Sequence, residues 1–138
     1  MGSKKIFVDS GGFLALLDDN VLLRNKVEEI LDQARQTGVG LVTTDSVIGE
    51  VLTLLRCREK IPTKLVLDFI QGALFANIEL VGISRSLFGD ALVMMQKYAD
   101  QYFSFTDCVS FKVMKEMKIK DVITIDKHFT IAGFNVLI

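Results

Sequence analysis

An α/β fold is predicted: a central, largely parallel sheet of about five strands with helices on both faces, making three layers. Three observations carry this. Short β-rich runs recur along the chain, most are separated by segments with helical apolar spacing, and the order is strand, helices, strand, helices, strand, helices, strand, strand. Helical crossovers build parallel sheets, whereas tight hairpins build antiparallel ones. The 138 residues read as one domain spanning 1–138, long enough to bury a core, with no repeat, linker or low-complexity segment.

The first strand covers Lys4 to Val8 and runs into Asp9-Ser10-Gly11-Gly12, where small residues are expected to let the backbone turn sharply. Phe13 to Leu17 reads as a short buried helical piece. A longer helix follows from about Val21 to Gln36, because Val27, Ile30, Leu31 and Ala34 share one face, and Gly38 is its natural stop. Val39 to Thr43 is the second strand. Thr44, Asp45 and Ser46 offer N-caps for a helix from about Val47 to Arg58. Pro62 opens another over roughly Thr63 to Ala76, with Leu65, Val66, Phe69, Ile70 and Ala73 as its buried stripe. Glu79 to Ile83 is the third strand, followed by a helix through Leu87, Ala91, Met94, Met95 and Tyr98 whose methionines read as core filler. After a turn at Tyr102 to Thr106 come a helix from Asp107 to about Met117, a strand from Asp121 to Ile125, a loop from Asp126 to Gly133 and a last strand from Phe134 to Ile138.

Composition narrows the function. Half the residues are apolar and 24% are charged, the balance of a folded protein rather than a disordered one. A net charge of -1 and a pI near 5.8 give no global pull toward nucleic acid, so a polyanion must be held by a local patch or a metal. Cys57 and Cys108 lack the number and spacing of a disulfide framework and read as buried thiols in a reducing compartment. Every apolar run is interrupted well before the length of a membrane span, and the first residues lack the apolar stretch of a signal peptide. A soluble, cytoplasmic protein is expected.

Four acids stand at comparable ends of these elements. Asp9 and Asp126 end strands, while Glu50 and Asp107 are expected in the first turns of helices that begin on the same edge. Open α/β sheets bind ligands beyond the carboxyl ends of their strands, so one cleft can collect all four. Clustered carboxylates repel one another and need a compensating positive charge to stay ionised at neutral pH. An all-oxygen site suits Mg²⁺ or Mn²⁺, whose chemistry on a phosphodiester is hydrolysis by activated water. Zinc is disfavoured because His128 is the only histidine.

Ordinary readings stand beside these. Asp9 can be a turn former and Asp107 a helix-start acid favoured by the macrodipole. Asp45 reads as a cap, and Asp100 and Asp121 as solvated turn acids. Lys112, Lys115, Lys118 and Lys120 follow Asp107 as a candidate phosphate-binding strip, with Lys127 and His128 beside Asp126 and a second basic group at Arg56, Arg58, Lys60 and Lys64. Solvated faces explain these lysines and arginines as well. Tyr102, Phe103 and Phe105 offer either base stacking or apolar packing.

Val8-Asp9-Ser10, Glu50 in the helix start after Thr43-Thr44-Asp45-Ser46, Ser104-Phe105-Thr106-Asp107-Cys108 and Ile123-Thr124-Ile125-Asp126-Lys127-His128-Phe129 together resemble the PIN-domain ribonucleases. The likeness is greatest to single-domain VapC-like toxins and free-standing prokaryotic relatives, and it spans nearly the whole chain. The resemblance implies a five-stranded parallel sheet and a Mg²⁺- or Mn²⁺-dependent endoribonuclease in which Asp9, Glu50, Asp107 and Asp126 form the catalytic, metal-holding cluster. It also implies that Thr106 and Thr124 orient the acids, that RNA is the substrate, and that a small antitoxin occupies the cleft of a homodimer. Ser10, beside Asp9, is a further candidate for the hydroxyls around the acids: it can donate to a phosphate or simply cap the turn at Asp9. The departures are mild: Ser10 and Gly11-Gly12 lie where relatives vary, and Cys108 stands where a small residue is common. Two readings from other classes are kept. One is a PIN-like RNA- or protein-binding module with little or no catalysis; the other is a receiver-type domain with Mg²⁺ around a phosphoaccepting aspartate.

Overall fold

The structure, a computed structural model, describes residues 4–75 and 77–138. The strands β1 (Lys5–Val8), β2 (Gly40–Thr44), β3 (Ile78–Val81), β4 (Asp121–Ile123) and β5 (Asn135–Val136) form one sheet in the order β3-β2-β1-β4-β5, every pair parallel. The connecting helices are α1 (Ser10–Ala15), α2 (Val21–Thr37), α3 (Asp45–Thr53), α4 (Thr63–Phe75), α5 (Arg85–Lys97), α6 (Phe105–Glu116) and α7 (His128–Ile131). This is the three-layer α/β/α architecture that the alternation of segments predicts. Among the described residues, no helix is long and apolar enough to cross a membrane.

The core sits between sheet and helices. Phe7, Val42, Val122 and Ile123 from the strands meet Phe13, Val27, Val47, Val51, Val109, Phe111, Met114 and Phe129 from the helices, all completely buried or nearly so. Local signals set the helix ends. Asn20 caps α2 by accepting from the backbone N–H of Leu22 and Leu23, and Gly38 ends it in the left-handed region at φ 73°. Thr44 caps α3 by accepting from the N–H of Val47, so that helix starts directly at the end of β2.

The strand order fixes where a ligand can sit. From β1 the chain proceeds to β2 and β3 on one side and returns to β4 and β5 on the other, which makes the β1/β4 boundary a topological switch point. Loops leave that boundary in opposite directions and open a crevice beyond its carboxyl edge. A receiver-type sheet runs in the order 2-1-3-4-5, so the phosphoaccepting reading does not fit this topology.

Several expectations are corrected. Gly11 and Gly12 do not make a sharp turn; they lie inside α1, where they bring the helix backbone against the end of β4. A Cβ on Gly12 would stand 2.6 Å from the carbonyl oxygen of Ile123, and one on Gly11 would stand 2.8 Å from Cγ1 of Ile125. We expect Gly12→Ala to destabilise the protein by about 1–3 kcal/mol. Gly89→Ala, on an open helix face, should instead be neutral or slightly stabilising. Urea unfolding of the two variants measures the difference.

Leu65, assigned to the buried stripe of α4, is 59% exposed; Val66 and Ile70 carry the burial, with Phe69 and Ala73 partly covered. Residues one apart on a helix do not share a face, so Val66 and Leu65 cannot both point inward. The loop after β4 contains α7, nucleated by Asp126 and anchored by the fully buried Phe129. Cys108 is buried as expected, but Cys57 is exposed, in the wide π-type turn Leu54–Arg58 that ends the α3 segment. Asp121 is not a solvated turn acid: it accepts from Asn135 and pairs with Lys4 at 3.2 Å. Those two contacts, Asn135 first, hold its carboxyl below the usual range.

Candidate metal centre at the switch point

Register dictates the first contact. Val8 pairs with Ile123, and the N–H of Asp9 continues the ladder to the Ile123 carbonyl at 3.1 Å. The next residues on each strand, Asp9 and Thr124, therefore emerge side by side, and Thr124 Oγ1 donates to Asp9 Oδ2 at 2.8 Å. The same hydroxyl accepts from the backbone N–H of Asp126 at 3.0 Å. Because that N–H can only donate, the Thr124 proton stays free for Asp9. One hydroxyl thus ties the acids of β1 and of the β4 loop together.

The helices bring the other two acids. Asp45 occupies the first turn of α3, where it accepts from the N–H of Ile83, as a structural cap would. Glu50 lies in the second turn rather than the first, and Ser10 Oγ reaches across to donate to its Oε1 at 3.0 Å. On α6, Ser104 and Asp107 form a reciprocal capping box: Ser104 Oγ accepts from Asp107 N at 3.0 Å, and Asp107 Oδ2 accepts from Ser104 N at 3.2 Å. The structural reading of Asp107 and its place in the cleft hold together. Capping fixes the rotamer that turns its carboxylate toward the other acids.

Asp9, Glu50, Asp107 and Asp126 all line one cleft of about 360 Å³, together with Ser10, Gly11, Leu14, Tyr102, Ser104, Ile125 and His128. Asp9 is buried at 3% exposure and Asp107 at 7%. Burial pushes the Asp9 carboxyl up to about 7; the hydrogen bonds from Thr124 and the Ser10 backbone work against that rise, and the charges of Asp107 and Glu50 add to it. A cation bound beside this carboxyl would draw it back to the ionised form. The donor set agrees, since hard carboxylate oxygens with room beside them suit a divalent ion that keeps water for a substrate phosphate to replace. Cys108, directly behind Asp107, is no nucleophile: burial, then the Asp107 charge, raises its thiol to about 11.

The structure brings all four predicted acids, Ser10, Thr124 and His128 together. Thr106 is not part of this network: among the described residues its hydroxyl bonds no acid, and its carbonyl accepts from Ser110. Ser104 takes the orienting role instead, and the Ser-x-x-Asp spacing of the capping box is the signal that marks it. His128 is half-buried at the rim of the cleft. Its Nδ1 stands 3.2 Å from Asp107 Oδ2 and 3.4 Å from Asp126 Oδ1. Phe103, which packs edge-on against that ring at 5.3 Å, is buried packing and not a stacking platform; Phe105 packs on Phe88. Tyr102 is 87% exposed at the lip of the cleft.

The lysines divide. Lys127 is exposed next to the cleft, but Lys112 pairs with Glu116 at 3.8 Å and Lys115 lines a separate small cavity beside Tyr98 and Phe103. Lys118 and Lys120 lie beyond the end of α6, with Lys4 and Lys5 at the opposite edge of the sheet. At about 1.5 Å per residue, α6 carries them too far to join a strip at Asp107.

The parallel order β3-β2-β1-β4-β5, with acids gathered at its switch point, defines a PIN-like fold of the kind found in VapC toxins. Among solved structures, the crystal structure of Mycobacterium tuberculosis VapC20, a toxin that cleaves the sarcin-ricin loop, matches it with a TM-score of 0.77. The match covers 94% of this chain and 95% of that chain at 22% sequence identity, and it is a likeness of fold. No protein-family model and no curated protein matches the sequence.

The hydroxyl of Thr124 supplies a test of the site. Thr124→Val keeps the shape but leaves Asp9 without its donor and the Asp126 N–H unpaired. Metal affinity, measured by calorimetry, should fall roughly 10- to 100-fold. Thr124→Ser should restore most of it.

Proposed function

We propose that this protein is a divalent-metal-dependent endoribonuclease of the VapC-like kind, hydrolysing phosphodiester bonds of single-stranded or loop RNA in the cytoplasm. The observation that carries the reading is the convergence of Asp9, Glu50, Asp107 and Asp126 on one cleft at the switch point. A binding module has no use for four converging acids, one of them buried and raised to about 7. Carboxylates of this kind cost stability unless a cation rewards them.

The four acids would hold Mg²⁺ or Mn²⁺. Such an ion, when bound, neutralises charge developing on the phosphoryl oxygens and lowers the pKa of water to supply the nucleophile. The chain does the positioning. Thr124, just past β4, aims Asp9, Ser10 at the start of α1 aims Glu50, and Ser104 at the cap of α6 aims Asp107. Exposed Tyr102 at the lip offers a face on which a splayed base can stack, and Lys127 offers charge to a phosphate. A small antitoxin that covers the cleft, and a homodimer, belong to the same reading.

The test is cleavage of a mixed, end-labelled RNA pool with Mg²⁺, with Mn²⁺ and with chelator. Products that appear with metal and vanish with chelator support the nuclease. Tight RNA binding that is indifferent to chelator, without cleavage, would replace it with the binding module.

A further inference from the structure

We propose that His128 is a ligand of the bound ion and that its imidazole makes the cleft prefer Mn²⁺ to Mg²⁺. The inference rests on the metal-dependent reading above and extends it to a residue outside the four acids. The geometry is specific. One donor atom from each of Asp107, Asp126 and His128 lies within 4.8 Å of the others, and the ring Nδ1 is 3.2 Å from Asp107 Oδ2 and 3.4 Å from Asp126 Oδ1. An octahedral ion with ligands about 2.1 Å away holds adjacent donors about 3.0 Å apart, close to both separations.

The ring is also held in place. The His128 backbone N–H donates to Asp126 Oδ1 at 2.9 Å, and the ring packs edge-on against buried Phe103. Its neighbours thus turn Nδ1 toward the carboxylates. Imidazole nitrogen is a poor partner for Mg²⁺, which demands hard oxygen ligands, but it suits first-row transition ions. Four carboxylates alone would accept either ion. A nitrogen beside them shifts the balance toward Mn²⁺.

The 3.2 Å separation equally fits a ring N–H donated to Asp107, so the experiment must separate a ligand from a hydrogen bond. The chain supplies an unusual advantage: His128 is its only histidine. In tag-free protein loaded with Mn²⁺, any imidazole nitrogen coupling seen by pulsed electron paramagnetic resonance must come from that residue. We expect such coupling in the wild-type protein, changed in the way a spin-½ nucleus requires when histidine is ¹⁵N-labelled. Calorimetry should give Mn²⁺ an affinity at least ~10-fold above that of Mg²⁺. His128→Asn retains an amide donor near the Nδ1 position, and it should weaken Mn²⁺ binding roughly 10-fold while leaving Mg²⁺ almost unchanged.

Bound Mn²⁺ without nitrogen coupling overturns the proposal and leaves the nuclease reading standing, as does an equal loss of both ions in His128→Asn, the mark of a positioning role. Binding of neither ion to the wild-type protein overturns the metal centre itself, and this inference with it.

Discussion

Asp107→Asn is expected to reduce metal-dependent RNA cleavage roughly 100- to 1,000-fold while the protein remains folded. The asparagine side-chain oxygen can still accept from the Ser104 N–H, so the capping box that starts α6 survives. What disappears is a carboxylate at 7% exposure, one of the four acids that line the cleft and would hold the ion. Single-turnover cleavage under saturating metal, beside a thermal melt, separates the two parts of the claim. Retained cleavage would remove Asp107 from the metal centre and reduce it to a helix cap. An unfolded variant would point to Asp107→Glu, whose longer side chain keeps the charge but displaces it.

The second large effect is on stability, and it has the opposite sign. Asp9→Asn should stabilise the metal-free protein at pH 8. The carboxyl of Asp9 has a folded-state pKa of about 7 against an ordinary value of 3.8, so between those pH values the native protein holds a proton that the unfolded chain has lost. Stability linked to this group is therefore fully present below about pH 4 and is lost as pH rises through 7. Asparagine, neutral throughout and still able to accept from Thr124, avoids that loss. The expected gain is absent near pH 4, grows toward pH 7 and levels off above it, at up to about 4 kcal/mol. Denaturant unfolding of both proteins across this range, in chelator, gives the difference directly. Saturating Mn²⁺ should reverse the ranking, because the ion binds the folded wild-type site and pulls Asp9 into its ionised form. Equal stability at pH 4 and pH 8 would mean that Asp9 is better solvated than its burial indicates.

Much of the architecture was legible because its signals are local. Gly38 and Thr44 act on backbone groups within a few residues, and the stripe of Val27 and Ala34 follows from helical geometry alone. Alternation of strand and helix then left a parallel sheet as the consistent arrangement, and the end of β1 named Asp9; Asp126 was named from a strand expected to reach Ile125, whereas β4 stops at Ile123 and leaves Asp126 in the loop that follows. The same local rules mislead where the decisive neighbour is remote. Gly11 and Gly12 look like a turn until β4 is seen to press against them, and Leu65 looks buried until the face of α4 is known. Cys57 carries no sign of its exposure.

For the site, the sequence by itself determined the residue types and the edge of the sheet toward which they gather. That was enough to name four acids, because a carboxylate in an apolar neighbourhood is conspicuous in one dimension. Only the tertiary structure decided how they are held. Register between β1 and β4 sets Thr124 against Asp9, and packing between α1 and α3 sets Ser10 against Glu50. The turn into α7 brings His128 beside Asp107, from a residue 21 positions away. Spacing along the chain cannot encode these partnerships. Hydrogen bonds of about 3 Å between distant residues depend on how whole elements dock, and docking is settled by the packing of the core beneath them.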